Sequence, residues 1–192
     1  NTGQVCLGTE RLYVQRGIFD QVAEKLATRA RTYAYGDPFD RKTTMGPLIS
    51  EEHRSKVLSY YEKAKTAGAE ILAGGGVPAI QGYDGGSWVE PTVWTGLPED
   101  SPVVRDEIFG PCAHITPFDD EEEAIQLANN SPYGLATSIW TTNLSRGHRV
   151  AGRIDAGITW VNCWFLRDLR TAFGGSKRSG IGREGGVHSL EF

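Results

Sequence analysis

Short apolar runs alternate with helix-spaced apolar patterns along the 192-residue chain, and no other feature narrows its possible folds as far. Residues 10–14 read as a strand. Phe19, Val22, Ala23, Leu26 and Ala30 then recur at helical spacing, and Gly36-Asp37-Pro38 stops that pattern. Ser50, followed by Glu51 and Glu52, has the form of an N-cap with an acidic first turn, and Val57, Tyr61, Ala64 and Ala67 supply the apolar face up to Gly68. A strand over 69–73, a Gly-rich loop over 74–86 and an extended stretch over 88–94 follow. The second half continues in the same way: a strand over 113–118, a short helix opened by an Asp120/Glu123 capping box and ending near Asn130, a strand over 135–140, a helix over 143–154 and a strand over 158–161. Such alternation implies βαβ units, hence an α/β fold with a mostly parallel sheet flanked by helices on both faces. No internal boundary interrupts it, so residues 1–192 read as a single domain.

Charge and cysteine usage exclude several functions. A formal net charge of -4 with no basic stripe argues against nucleic acid as a partner. Three cysteines, Cys6, Cys112 and Cys163, are too few and too widely spaced for a disulfide framework, which points to a reducing cytoplasm. No stretch is long and apolar enough to suggest a membrane span. His53, His114, His148 and His188 share no ligand spacing, so no metal is expected.

Cys6 is the first candidate for chemistry. It lies in Asn1-Thr2-Gly3-Gln4-Val5-Cys6-Leu7-Gly8, a lone thiol among small and polar residues with no CxxC partner nearby. A Gly-bracketed turn gives a thiolate the backbone access that nucleophilic catalysis needs, although a lone cysteine also serves as a small buried hydrophobe. The chain has no initiator Met and opens inside this turn, which leads us to expect further sequence upstream.

Four segments, in this order, resemble the aldehyde dehydrogenase superfamily: Gly3-Gln4-Val5-Cys6; Glu107-Ile108-Phe109-Gly110-Pro111; Asn162; and Phe173-Gly174-Gly175-Ser176-Lys177 running on to Ser179-Gly180-Ile181-Gly182-Arg183-Glu184. Gly46-Pro47-Leu48-Ile49 and Glu90-Pro91-Thr92 fit the same pattern. The resemblance spans essentially the whole chain and corresponds to the family's three-layer catalytic domain. It implies that Cys6 is the thiolate that attacks an aldehyde, that Glu107 holds the nicotinamide ribose hydroxyls, and that Phe109 packs beside the nicotinamide. Taken without the other segments, Glu107 and Phe109 read as a solvated Glu and a buried Phe ahead of a strand. The implied cofactor is NAD, with NADP left open.

The family's oxyanion asparagine, its glutamate base and its dinucleotide-binding domain precede the nucleophile, so they are expected upstream of Asn1 and absent from this chain. Gly180-Ile181-Gly182 does not match a dinucleotide fingerprint. The isolated 1–192 chain is therefore expected to be inactive.

The run Asn162-Cys163-Trp164-Phe165-Leu166-Arg167-Asp168-Leu169-Arg170 looks like the branch that oxidises 2-hydroxymuconate and 2-aminomuconate semialdehydes. By that resemblance Asn162, Phe165, Arg167, Arg170 and Phe173 contact substrate. The planar guanidinium of Arg167 suits a distal carboxylate, with Arg170 as the alternative carrier. Arg167 could instead pair with Asp168 or another acid and support the loop. The expected partners are thus a small aldehyde and, for the full-length protein, further copies of itself. Two other functions stay open: a cofactor-independent cysteine hydrolase or esterase, and a non-catalytic domain.

Overall fold

The computed structural model describes residues 1–83 and 85–191, so Asp84 of the Gly-rich loop lies outside the described residues. The chain divides into two compact units, 1–118 and 119–192, where the sequence alone suggests one domain without a boundary.

The first unit is built on a four-stranded sheet. Strands β1 (Arg11–Gln15), β2 (Glu70–Ala73), β3 (Thr92–Thr95) and β4 (Cys112–Phe118) lie in the order β1-β4-β3-β2. β1 and β3 run parallel to β4, with Arg11 opposite His114 and Thr92 opposite Cys112. β2 is antiparallel to β3, so the sheet is mixed with an antiparallel edge. All four residues of β3 are buried, as both faces of a central strand are when helices cover each side. Successive side chains point to opposite faces. Val93 joins Val14, Ile115 and the alanines Ala23, Ala27 and Ala30 of α1 (Phe19–Ala30). Trp94 joins Val57, Tyr61 and Ala64 of α2 (Glu51–Thr66) and Ile108. In this unit helix, sheet and helix make three layers, the arrangement expected for the chain as a whole.

Local chemistry sets the boundaries. Ser50 Oγ accepts from the His53 N–H (3.1 Å) and caps α2, whose first turn carries Glu51 and Glu52 and whose last turn carries Lys63 and Lys65. Gly68, at φ +87°, turns the chain out of it. The Tyr61 and Trp94 rings meet edge to face at 5.7 Å, an arrangement that contributes about 0.5–1.5 kcal/mol beyond burial. Helix α1 ends at Ala30, earlier than Gly36-Asp37-Pro38 suggests, because the apolar spacing stops there and Arg31 closes the last turn on the Ala27 carbonyl. A short α3 (Pro102–Arg105), capped by Ser101, has too few residues to show a period.

The second unit holds α4 (Glu121–Asn129), β5 (Tyr133–Gly134), β6 (Ala136–Ile139), α5 (Leu144–Ala151), β7 (Ile158–Val161) and β8 (Ser176–Lys177). β6 and β7 are parallel, and β5 pairs antiparallel with β8. Asp120 accepts from the Glu123 N–H (2.9 Å), and Glu123 reaches back to the N–H of Asp119 (2.7 Å), one residue earlier than the cap itself. Arg149 holds the Glu121 carboxylate through two N–H groups (2.7 and 2.6 Å) and Arg153 holds that of Glu122, which fastens α5 and the turn after it to α4. No helix among the described residues is long and apolar enough to cross a membrane.

Candidate active site

The Cys6 turn is constructed from backbone that only a few residue types adopt. Thr2 and Gly3 are both left-handed, at φ +58° and +73°. The turn is closed by the Gln4 N–H on the Asn1 carbonyl (3.0 Å) and the Gly8 N–H on the Val5 carbonyl (2.8 Å). Two side chains anchor it to the segment before α2. Thr2 Oγ1 donates to the Gly46 carbonyl (3.0 Å), and Gln4 Oε1 accepts from the Ile49 N–H (2.9 Å). Cys6 is exposed at the surface of this turn. Cys112, in contrast, is buried at the start of β4, and burial holds its thiol well above the ordinary range. Among the described residues no histidine hydrogen-bonds the Cys6 thiol, although a hydrolase would need such a base.

The segment from Glu107 to Pro111 lies directly against that turn. A Cβ on Gly3 would overlap the Gly110 carbonyl and the Pro111 nitrogen, so the two backbones touch. Gly110 is crowded from the other side, since a Cβ there would fall 2.8 Å from a Val57 methyl. Phe109 takes φ +62°, an uncommon state for an aromatic residue that costs on the order of 1–3 kcal/mol. Three side chains hold the backbone of this segment. Glu10 accepts from the N–H groups of Ile108 (2.9 Å) and Phe109 (2.7 Å), one through each carboxylate oxygen. His53 Nε2 donates to the Phe109 carbonyl (2.7 Å), and its ring meets the Phe109 ring edge-on at 6.1 Å. Lys56 donates to the Glu107 carbonyl (3.1 Å). Burial pushes the Glu10 carboxyl up, and its two backbone hydrogen bonds pull the other way. The Glu107 side chain is exposed, and its carboxylate has no hydrogen bond or ion pair among the described residues. It is available to accept from hydroxyl groups of a ligand, which is the chemistry a ribose contact requires.

Neither Glu10 nor His53 is nominated by the sequence. Each contacts a segment more than fifty residues away, and nothing in local spacing signals that.

In the second unit the residues expected to contact substrate separate into groups. Arg167 lies over the Phe173 ring, its guanidinium carbon 4.1 Å from the centroid, and approaches Glu184 at 3.7 Å. Phe173 is fixed by paired backbone hydrogen bonds with Glu184 (2.7 and 2.8 Å). Arg170 is turned away onto Asp168, which takes its Nε at 2.9 Å. The guanidinium next to Asp168 holds that carboxyl below its ordinary range. Asp168 is thus taken by Arg170, and the acid that Arg167 pairs with is Glu184. Phe165, left-handed at φ +59°, is half exposed and stacks on Trp164 at 5.2 Å. Asn162, at φ +55°, uses both ends of its amide on Thr141: Nδ2 donates to the carbonyl (2.8 Å) and Oδ1 accepts from the N–H (2.9 Å). That clamp joins the end of β7 to the chain just after β6.

Residues 1–192 match the aldehyde dehydrogenase family, and the chain belongs to it. Among curated relatives it is 64% identical over its full length to 2-hydroxymuconic semialdehyde dehydrogenase of Pseudomonas sp. (strain CF600), covering 40% of that protein. It is 60% identical to 2-aminomuconic 6-semialdehyde dehydrogenase of Pseudomonas sp., covering 39% of it. The chain therefore spans about two fifths of the length of these relatives. Among solved structures, betaine aldehyde dehydrogenase of Staphylococcus aureus in complex with NAD+ matches with a TM-score of 0.96 at 40% identity, over 99% of this chain and 38% of that one. The NAD+ complex of Bacillus cereus aldehyde dehydrogenase matches with a TM-score of 0.94 at 40% identity, again over 99% and 38%.

Proposed function

We propose that the chain is the nucleophile-bearing part of an NAD-dependent aldehyde dehydrogenase that oxidises a carboxylated semialdehyde of the 2-hydroxymuconic or 2-aminomuconic type to the acid. One observation carries the reading. An exposed thiol sits on a strained turn packed against the same backbone segment that carries an unengaged Glu107 carboxylate and a strained Phe109.

In this reading the Cys6 thiolate attacks the aldehyde carbon, forming a C–S bond and moving a carbonyl electron pair onto oxygen. The small residues of the turn leave the Cys6 backbone N–H open to hold that oxyanion. The bound nicotinamide cofactor supplies the hydride acceptor. Loss of hydride from the thiohemiacetal leaves a thioester on Cys6, which water cleaves to the acid and the free thiol. Sulfur suits both steps because it is a strong nucleophile and a good leaving group. Glu107 accepts from the ribose hydroxyls and Phe109 packs beside the nicotinamide, and the free acceptor oxygens of Glu107 fit that group. Arg167, lying over the Phe173 ring, is the residue we assign to the substrate carboxylate, with Asn162, Phe165 and Phe173 as further substrate contacts. We further infer a cytoplasmic protein that assembles with copies of itself.

The test is to assay the full-length protein with NAD or NADP and each semialdehyde. NAD-dependent acid formation that disappears on alkylation of Cys6 is the expected result. Ester hydrolysis without any cofactor-dependent oxidation would replace this reading with the hydrolase.

A further inference from the structure

We infer that Glu10 is a positioning residue for the cofactor contact, fixing Glu107 and Phe109 relative to the Cys6 thiol. The inference rests on the dehydrogenase reading above. Glu10 lies four residues beyond Cys6, where the turn passes into β1, and its own carbonyl accepts from the His114 N–H of β4 (2.8 Å). Its backbone is thus held by the sheet. Its carboxylate reaches a segment almost a hundred residues further along and takes two consecutive N–H groups, those of Ile108 and Phe109.

The two N–H groups flank the start of a strained backbone, since Phe109 itself is left-handed at φ +62°. A residue in such a state persists when its surroundings over-determine it. Here Glu10 holds the N–H side, His53 the Phe109 carbonyl and Lys56 the Glu107 carbonyl. Every one of these bonds is to backbone. The exposed side chain of Glu107 is left for a ligand, while the main chain on either side of Ile108 is held. Charge makes the Glu10 contribution stronger than that of a neutral acceptor. Gln cannot replace it, because an amide offers one acceptor oxygen and turns a donor toward the second N–H.

Three measurements on full-length wild type and Glu10→Gln test this. They are NAD affinity by calorimetry, hydrogen exchange at the Ile108 and Phe109 amides, and the rate of Cys6 alkylation without cofactor. Positioning predicts NAD affinity weaker by about ten- to a hundredfold, with KM for NAD rising in step. It also predicts exchange at both amides faster by about tenfold or more, with the aldehyde KM and the Cys6 alkylation rate within about twofold of wild type. Unchanged NAD affinity in the folded variant, with only the active fraction reduced, overturns the inference and leaves Glu10 a structural residue. Wild type that binds no NAD overturns the dehydrogenase reading itself, and this is a separate and visible failure. Should Glu10→Gln not fold, Glu10→Asp retains the charge with a shorter reach and is judged by the same criteria.

Discussion

Gly3 packs so closely on Gly110 that a Cβ on Gly3 would overlap the Gly110 carbonyl. This contact sets the turn bearing Cys6 against the segment bearing Glu107 and Phe109. We expect Gly3→Ala to destabilise the protein by at least about 1–2 kcal/mol from the left-handed backbone alone, with the overlap adding to it. Chemical denaturation would give the loss, and hydrogen exchange should place it in both segments. A change below about 0.5 kcal/mol would mean that the two segments separate at little cost.

Cys6 makes no side-chain hydrogen bond among the described residues and is exposed. Cys6→Ala should therefore leave stability within about 0.5 kcal/mol of wild type while abolishing aldehyde oxidation by the full-length enzyme. Residual activity within about tenfold, equivalent to ~1.4 kcal/mol of barrier, would remove Cys6 from the nucleophile role.

Elements with enough residues to show a period were legible in the sequence. The strand over 158–161 and the Ser50 cap are found where the pattern puts them, because apolar alternation and a capping hydroxyl are local properties. β5 and β8, two residues each, have no period to read and exist only through pairing across forty residues. The helix expected over 143–154 stops at Ala151, since Gly152 takes the cap and Arg153 turns back onto Glu122. The site divides along the same line. Cys6 and the Glu107–Pro111 segment were legible from motif. Glu10, His53 and Lys56 were not, since their role exists only where distant backbone comes within reach. The Asp168 partner could have been assigned, because Arg170 two residues on closes a tight turn whose N–H also donates to Asp168 (2.9 Å).

His114 gives an acid-side dependence. It is buried in β4, with Nε2 accepting from the Leu97 N–H (3.3 Å), so Nδ1 carries the proton of the neutral ring and faces Thr116 Oγ1 (3.1 Å). Thr116 donates in turn to Glu99 (3.0 Å). Burial lowers the His114 pKa from 6.5, and the nearby Glu99 charge offsets only part of this. A folded-state value below the unfolded one means that the unfolded chain binds more protons in that window. Stability from this group is then complete above pH 6.5 and falls as pH drops from 6.5 toward the folded value. The stability advantage of wild type over His114→Gln should shrink between about pH 7.5 and about pH 5.5, measured by denaturation at each pH. A constant difference would show that His114 binds protons equally in the folded and unfolded chain, so that burial does not lower its pKa.

Arg167 and Arg170 stand three residues apart in different electrostatic settings. The Arg170 side chain is 89% exposed and committed to Asp168, whereas that of Arg167 is 30% exposed, stacked on Phe173, and only 3.7 Å from its nearest acid, Glu184. A loosely paired, partly desolvated guanidinium lying over an aromatic ring is the better anchor for an incoming carboxylate. In the full-length enzyme, Arg167→Ala should raise KM for a carboxylated semialdehyde by the loss of a charge-assisted contact of roughly 1.5–3 kcal/mol, about ten- to a hundredfold. An uncharged aldehyde of similar length should be affected far less, and Arg170→Ala should change both substrates by less than about threefold, as expected for an exposed ion pair. Equal losses on charged and neutral aldehydes would make Arg167 a support for the loop. A selective loss in Arg170→Ala would transfer the anchoring role to that residue.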